Sequence, residues 1–184
     1  MTESRQQAER ARKAFLKLST TANRTAILHD MAAAVRDNAA AIFEANKKDL
    51  DAAKDVIPGP LYKRLVLSEP KLRDALSGIT MVAQMEDPVG RVLSETELDE
   101  DLVLRKVQTP IGVIAAIFES RPDVVLQIGA LAIRTGNAVL LKGGREAAHS
   151  NEIIVQTLRG ALAKHGVEDA IQLVSTREAV AELL

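Results

Sequence analysis

An α/β fold is predicted, with a helical N-terminal region, a β-hairpin and then an incomplete doubly wound parallel sheet. Three features of the sequence predict it. Apolar side chains recur at helical spacing up to Pro88, short β-rich runs follow, and beyond Pro110 apolar strands alternate with helix-period segments. The corresponding units are a helical region over 1–87, a hairpin over 88–108, and the first half of a nucleotide-binding α/β domain over 109–184.

The first helix is expected over Thr2 to Lys17, where Ala8, Ala11, Phe15 and then Leu18 share one face. The hydroxyls of Ser19, Thr20 and Thr21 offer caps between it and a second helix carrying Ile27, Leu28, Met31, Ala34 and Val35. A third helix starts near Asn38 and carries Ile42, Phe43, Ala45 and Leu50. Pro58-Gly59-Pro60 ends that regime, because neither residue type continues a helix cheaply. Ser68-Glu69-Pro70 starts another helix with a hydroxyl cap, an acid and a proline in the first turn. Leu72, Ala75, Leu76, Ile79 and Val82 keep its period until Asp87-Pro88.

Val89 to Leu93 and Leu102 to Val107 read as two strands joined by the acidic stretch Glu95 to Asp101, a hairpin pattern. Ile111 to Phe118 is apolar on both faces, as a central parallel strand should be. A helix from Pro122 to Ile133 ends at Gly136, and a strand follows over Ala138 to Leu141. Next come a helix from Ala147 to Lys164 stopped at Gly166, a strand over Ile171 to Val174, and a helix from Thr176 to Leu184. Three strands make half of a doubly wound sheet.

Composition narrows the functional classes. The chain has 184 residues with a net charge of −1, and its basic residues are interspersed with acids, so no field draws it to nucleic acid or a membrane surface. Tyr62, Phe15, Phe43 and Phe118 are the only aromatics, too few for a base-stacking platform. There is no cysteine, which excludes a disulfide framework, a thiolate metal site and a cysteine nucleophile within these residues. The polar amino terminus carries no secretory h-region, and no apolar run approaches the ~20 residues of a membrane span. A cytoplasmic protein is the expectation.

Ligands of open α/β sheets bind beyond the carboxyl ends of the strands. Two such ends carry chemistry. After the first parallel strand come Glu119, Ser120 and Arg121, a carboxylate, a hydroxyl and a guanidinium suited to an anionic, amino-acid-like substrate. The competing reading is a charged helix start with an Arg–Glu pair. After the next strand come Lys142, Gly143, Gly144 and Arg145. The glycines allow close approach of a cofactor, and the two cations suit a phosphorylated ribose. The competing reading is a glycine turn with solvated charges. There is no G-x-G-x-x-G fingerprint and no Walker loop. His29 and His165 read as structural or solvated, and His149 as a surface residue close enough to the glycine turn to approach a ligand. The three do not form metal spacing.

The segments 85–93 (MEDPVGRVL), 109–113 (TPIGV), 118–124 (FESRPDV), 132–137 (AIRTGN) and 141–144 (LKGG) resemble γ-glutamyl phosphate reductase, of the aldehyde dehydrogenase superfamily. Asn46 to Asp49 and Arg64 to Leu67 fit that family's helical amino-terminal region. The resemblance covers nearly the whole chain, and FESRPDV is its most specific stretch. It implies an aldehyde dehydrogenase-type sheet and NADPH-dependent reduction of γ-glutamyl phosphate to glutamate 5-semialdehyde in proline biosynthesis. It also implies a homo-oligomer in the full-length form.

Carried over by residue, Lys142 resembles the lysine that contacts the adenosine ribose. Arg145 falls where NAD-preferring relatives place a glutamate, and a cation there fits NADPH. Glu119, Ser120 and Arg121 occupy the loop bordering the substrate and oxyanion region. The superfamily's oxyanion asparagine is missing, and matching on Pro122 puts Ser120 in its place. The family's catalytic cysteine is expected beyond residue 184, so the chain is expected to be catalytically incomplete. The motifs also occur in the bifunctional proline-pathway synthase, and Met1 just before the first reductase helix favours the single-function enzyme. A non-catalytic nucleotide-binding or subunit-pairing module is the alternative. Another aldehyde dehydrogenase with a different acyl substrate is disfavoured by Phe118 to Val124.

Overall fold

The computed structural model describes residues 2–20 and 23–174. The helix expected over 176–184 lies outside them, as does Thr21. Helix α1 (Glu3–Thr20) buries Ala11 and Leu18, with Ala8 and Phe15 packed against the same core. Helix α2 (Arg24–Asp37) buries Ile27, Leu28, Met31 and Val35. Its cap differs from the expected hydroxyls. Asn23 Oδ1 accepts the Ala26 N–H at 3.1 Å, while Ser19 and Thr20 donate back to the Leu16 carbonyl of their own helix. Asparagine caps as well as serine, and a hydroxyl inside a helix readily bonds backward.

Helix α3 (Ala39–Ala53) extends the Ile42 stripe through Asn46, Asp49 and Ala53, all buried. Pro58-Gly59-Pro60 does not end the third helix, which stops at Ala53 with Lys54 as its C-cap; it opens the short α4 (Gly59–Leu65) instead. Pro58 is its N-cap and Pro60 sits in the first turn, where a missing N–H leaves no bond unmade. Helix α5 (Glu69–Gln84) starts as expected, with the Ser68 hydroxyl accepting from Lys71 N at 3.5 Å.

Strands β1 (Val92–Asp99) and β2 (Leu102–Val107) pair antiparallel and are exposed along their whole length. The acidic stretch expected to be the connection is mostly strand. Only Glu100 and Asp101 turn the chain, with Asp101 at a φ of 60°. In a ribbon with no buried face, pairing decides what is strand. Arg105 Nε meets Glu95 Oε2 at 2.6 Å directly across the ladder.

The parallel sheet is β3 (Val113–Ile117), β4 (Ala138–Lys142) and β5 (Ile171–Leu173), in the order β3-β4-β5. Helices α6 (Asp123–Arg134) and α7 (Ala148–Ala163) make the two crossovers that parallel pairing requires. Among the described residues β4 is the central strand, with Ala138 to Leu141 buried, whereas β3 is an edge with Ile117 67% exposed. Both strands are apolar on both faces, so composition could not rank them; pairing does. Gly136 and Gly166 end α6 and α7 at φ values of 71° and 64°, and a Cβ on Gly136 would press on Pro110 and Val89.

Polar ties hold these layers in place. Gln7 and Gln172 exchange side-chain-to-carbonyl bonds that dock α1 on β5, Gln172 Nε2 to Gln7 O at 3.0 Å and Gln7 Nε2 to Leu173 O at 3.3 Å. Buried Arg134 of α6 donates to the last carbonyls of α5, Val82 and Ala83, and to the Thr25 hydroxyl. No helix among the described residues is long and apolar enough to cross a membrane.

Candidate functional site

The two strand ends picked out by the sequence lie side by side because β3 and β4 are neighbours in register. Ile117 is opposite Lys142, and the Phe118 N–H extends the ladder by donating to the Lys142 carbonyl at 3.0 Å. The chain then turns sharply at Ser120, whose φ of 49° is a conformation that non-glycine residues adopt at a cost of about 1–2 kcal/mol. That turn aims both donors of Ser120 the same way. Its N–H and its hydroxyl each donate to Glu146 Oε1 at 2.7 Å.

Glu146 is therefore the group that welds the two loops together. It sits in the 3-10 turn Arg145–Ala147 that follows the glycine pair. Burial pushes its carboxyl up, but the Ser120 hydroxyl, the backbone N–H groups of Glu146 and Ser120, and the Lys142 charge outweigh that and hold it below the ordinary carboxylate range. Glu146 stays ionised, and Ser120 stays a donor to it.

The glycine pair has an internal purpose that the sequence did not reveal. A Cβ on Gly143 would collide with the Asn151 amide, and one on Gly144 with the Glu146 carboxylate. Each glycine makes room for a side chain of this chain.

Of the expected substrate-side residues, Ser120 is buried and bonded to Glu146, Glu119 is exposed, and Arg121 is half exposed. The competing reading, a charged helix start with an Arg–Glu pair, is met with a different acid. Arg121 Nη2 pairs instead with Asp123 at 2.9 Å, and Asp123 also accepts from Gln127 at 3.1 Å.

On the cofactor side, Gly143, Gly144 and Arg145 line a cleft of about 520 Å³ beside Asn151, with walls from α1, α7 and the end of β5. Lys142 does not line it; its Nζ donates to the Gly143 carbonyl at 2.5 Å. Two other guanidiniums face the cleft, and both are near Asp169, Arg159 at 2.9 Å and Arg10 at 3.8 Å. Arg145 is exposed, and among the described residues no carboxylate pairs with it. Asn151 Oδ1, behind the cleft wall, is buried without a hydrogen-bond partner. An anionic, hydrogen-bonding ligand such as a phosphorylated nucleoside fits this donor set.

The start of α7, which forms part of that wall, is capped from a distance. Asp49 of α3 accepts the His149 and Ser150 N–H groups at 3.1 and 2.7 Å and the Ser150 hydroxyl at 2.6 Å. His149 Nδ1 lies 2.7 Å from the same carboxylate. Asn46 extends the network to Ser150, the Leu65 carbonyl and the Leu67 N–H. His149 is thus a surface residue pinned to a buried acid, and His165 pairs with Asp30 at 2.7 Å. Among the described residues no cluster could hold a metal ion.

Sequence reasoning missed Glu146 and Asn151, and it placed Asn46 and Asp49 in the resemblance without a role. Asn46 and Asp49 carried a readable signal, since they continue the Ile42 stripe and so mark buried polar groups.

The fold defines the class. The chain superposes on succinic semialdehyde dehydrogenase from Streptococcus pyogenes with a TM-score of 0.74 over its full length, covering 38% of that chain at 18% identity, which establishes an aldehyde dehydrogenase-type architecture. No family model matches the chain. Closer relatives narrow the class. Gamma-glutamyl phosphate reductase from Nostoc punctiforme is 45% identical over 182 residues, 96% of this chain and 42% of that protein. The crystal structure of the Saccharomyces cerevisiae gamma-glutamyl phosphate reductase superposes with a TM-score of 0.91 at 42% identity, covering 96% of this chain and 47% of that one. The chain is thus a homologue of the γ-glutamyl phosphate reductases over nearly all its length. It spans less than half of theirs.

Proposed function

We propose that the chain is the cofactor- and substrate-facing part of an enzyme that reduces γ-glutamyl phosphate with NADPH to glutamate 5-semialdehyde in proline biosynthesis. The observation that carries the reading is Glu146 joining the two loops. It fixes the FESRPD loop against the turn that follows the glycine pair, so the two strand ends keep one relative position. Bound NADPH would supply a hydride to the acyl carbon, the acyl–phosphate bond breaking so that phosphate leaves and NADP is released with the aldehyde. Gly143, Gly144 and Arg145 hold the adenosine end, Arg145 meeting the 2′-phosphate. Lys142 takes the ribose by exchanging its bond to the Gly143 carbonyl.

Glu119 and Arg121 face the substrate. Ser120 presents the loop backbone rather than a free hydroxyl, because its oxygen already donates to Glu146. The cysteine nucleophile that the resemblance implies is not among these 184 residues, and on this reading it comes from elsewhere in the whole enzyme. On this reading 1–87 and 88–108 are the helical and hairpin units, 109–184 opens the NADP domain, and the full-length enzyme is a cytoplasmic homo-oligomer.

The test is cofactor preference. Calorimetry of the chain carrying Arg145→Glu should show NADPH weakened at least about tenfold, roughly 1.4 kcal/mol, with NADH little changed. Equal effects on both cofactors would remove Arg145 from the 2′-phosphate.

A further inference from the structure

A second cleft, of about 510 Å³, opens between α4, α5 and the start of α6, away from the glycine cleft. Its wall carries Lys63, Arg64, Lys71 and Arg121 against Asp74 and Asp123. Three of these six charges have work within the fold. Lys71 Nζ donates to the Val66 and Lys63 carbonyls at 2.6 and 3.3 Å, which caps the end of α4. Asp123 is matched by Arg121 Nη2, and that bond sets the guanidinium at the cleft wall with its side chain 49% exposed.

Lys63, Arg64 and Asp74 are different. All three are exposed, and among the described residues no ion pair reaches any of them. The cleft thus offers cations and one unmatched carboxylate, the complement of a zwitterion that carries further negative charge.

Gly78 supplies an independent observation. It lies inside α5, where glycine is the least favoured residue after proline, and it lines this cleft. A Cβ there would meet nothing within 4 Å, and its φ is not in the left-handed region. Neither backbone geometry nor packing calls for glycine. What a side chain would occupy is the open space of the cleft.

We propose that this cleft binds the α-amino-acid end of the substrate. Asp74 takes the ammonium, Arg121 with Arg64 takes the α-carboxylate, and Gly78 leaves room for the ligand. The proposal rests on the reading that the substrate is a glutamyl compound. It adds Arg64, Asp74 and Gly78 as specificity-determining residues and places the acyl end toward Ser120, one residue from Arg121.

The test is a titration of the 184-residue chain followed by amide NMR. The probes are L-glutamate, glutarate (no ammonium), 4-aminobutyrate (no α-carboxylate) and L-norvaline (the zwitterion without a side-chain carboxylate). L-Glutamate should move the amides of Asp74, Gly78 and Arg121 saturably, with glutarate and 4-aminobutyrate at least tenfold weaker. Asp74→Asn should weaken L-glutamate at least tenfold and leave glutarate unchanged, and Gly78→Leu should abolish binding while keeping a dispersed spectrum. No saturable shift with L-glutamate, glutarate binding as well as L-glutamate, or an unaffected Asp74→Asn would each overturn the proposal. If L-norvaline matches L-glutamate, the α-amino-acid subsite stands and the cleft does not read the side-chain carboxylate. NADPH titrated into the same sample reports on Ala148 and Asn151. Shifts there without L-glutamate binding would defeat the cleft proposal alone and leave the cofactor reading intact.

Discussion

Two carboxylates hold this molecule together across long stretches of sequence, and they do so under opposite conditions. Asp49 is 97% buried and gathers the start of α7 onto α3 through two backbone N–H groups, a hydroxyl and an imidazole. Glu146 is only partly buried and ties the loop after β3 to the loop after β4 through a single oxygen. The first is scaffold: its loss leaves the buried Ser150 N–H and hydroxyl without their acceptor. The second lies between the two candidate loops: it is partly buried, so water can reach it and its loss costs less.

The contrast breaks most visibly at Asp49. Asp49→Ala should cost about 3 kcal/mol, combining a lost helix cap with charge-assisted bonds to buried groups. Urea unfolding would show it as a lower midpoint with an unchanged slope. A loss under about 1 kcal/mol would mean that α7 is held by its apolar face alone.

Gly144→Ala should come next, at about 1–2 kcal/mol. Gly144 sits at φ −70° and ψ 155°, a conformation alanine accepts, so the new methyl acts only by displacing the Glu146 carboxylate from Ser120. A stabilised Gly144→Ala would show that the carboxylate moves without loss.

Acid gives the smallest effect. Because the Glu146 carboxyl is held below its unfolded value, its contribution is fully present above about pH 4.3 and is lost as pH falls through the lowered folded value. The stability gap between the wild-type chain and Glu146→Gln, measured by urea unfolding, should therefore be constant at neutral pH and shrink in acid. A gap that grows in acid would contradict the assignment.

The sequence showed the order of elements well, because helices and parallel strands announce themselves by period and by bounding residues such as Ser68, Gly136 and Gly166. It misplaced what depends on partners. Strand β1 runs through an acidic stretch because β2 pairs with it, α2 takes its cap from Asn23, and β3 lies at the edge of the described sheet because β4 has the second neighbour. The candidate loops were legible as residue types at strand ends, but their connection was not. Ser120 and Glu146 stand 26 positions apart, and only the register of β3 on β4 brings them together. The glycine pair was read as space for a cofactor, and nothing in the residue order signalled that a Cβ at either position would also meet Asn151 or Glu146.

The account turns on the two loops being one site joined by Glu146, and a double-mutant cycle of Ser120→Ala and Glu146→Ala measures that join directly. The bond predicts a coupling of about 1–2 kcal/mol in urea unfolding, the range for a partly exposed hydrogen bond to a charged group. Costs that add to within about 0.3 kcal/mol would show two independent loops and would contradict the reading of them as one site.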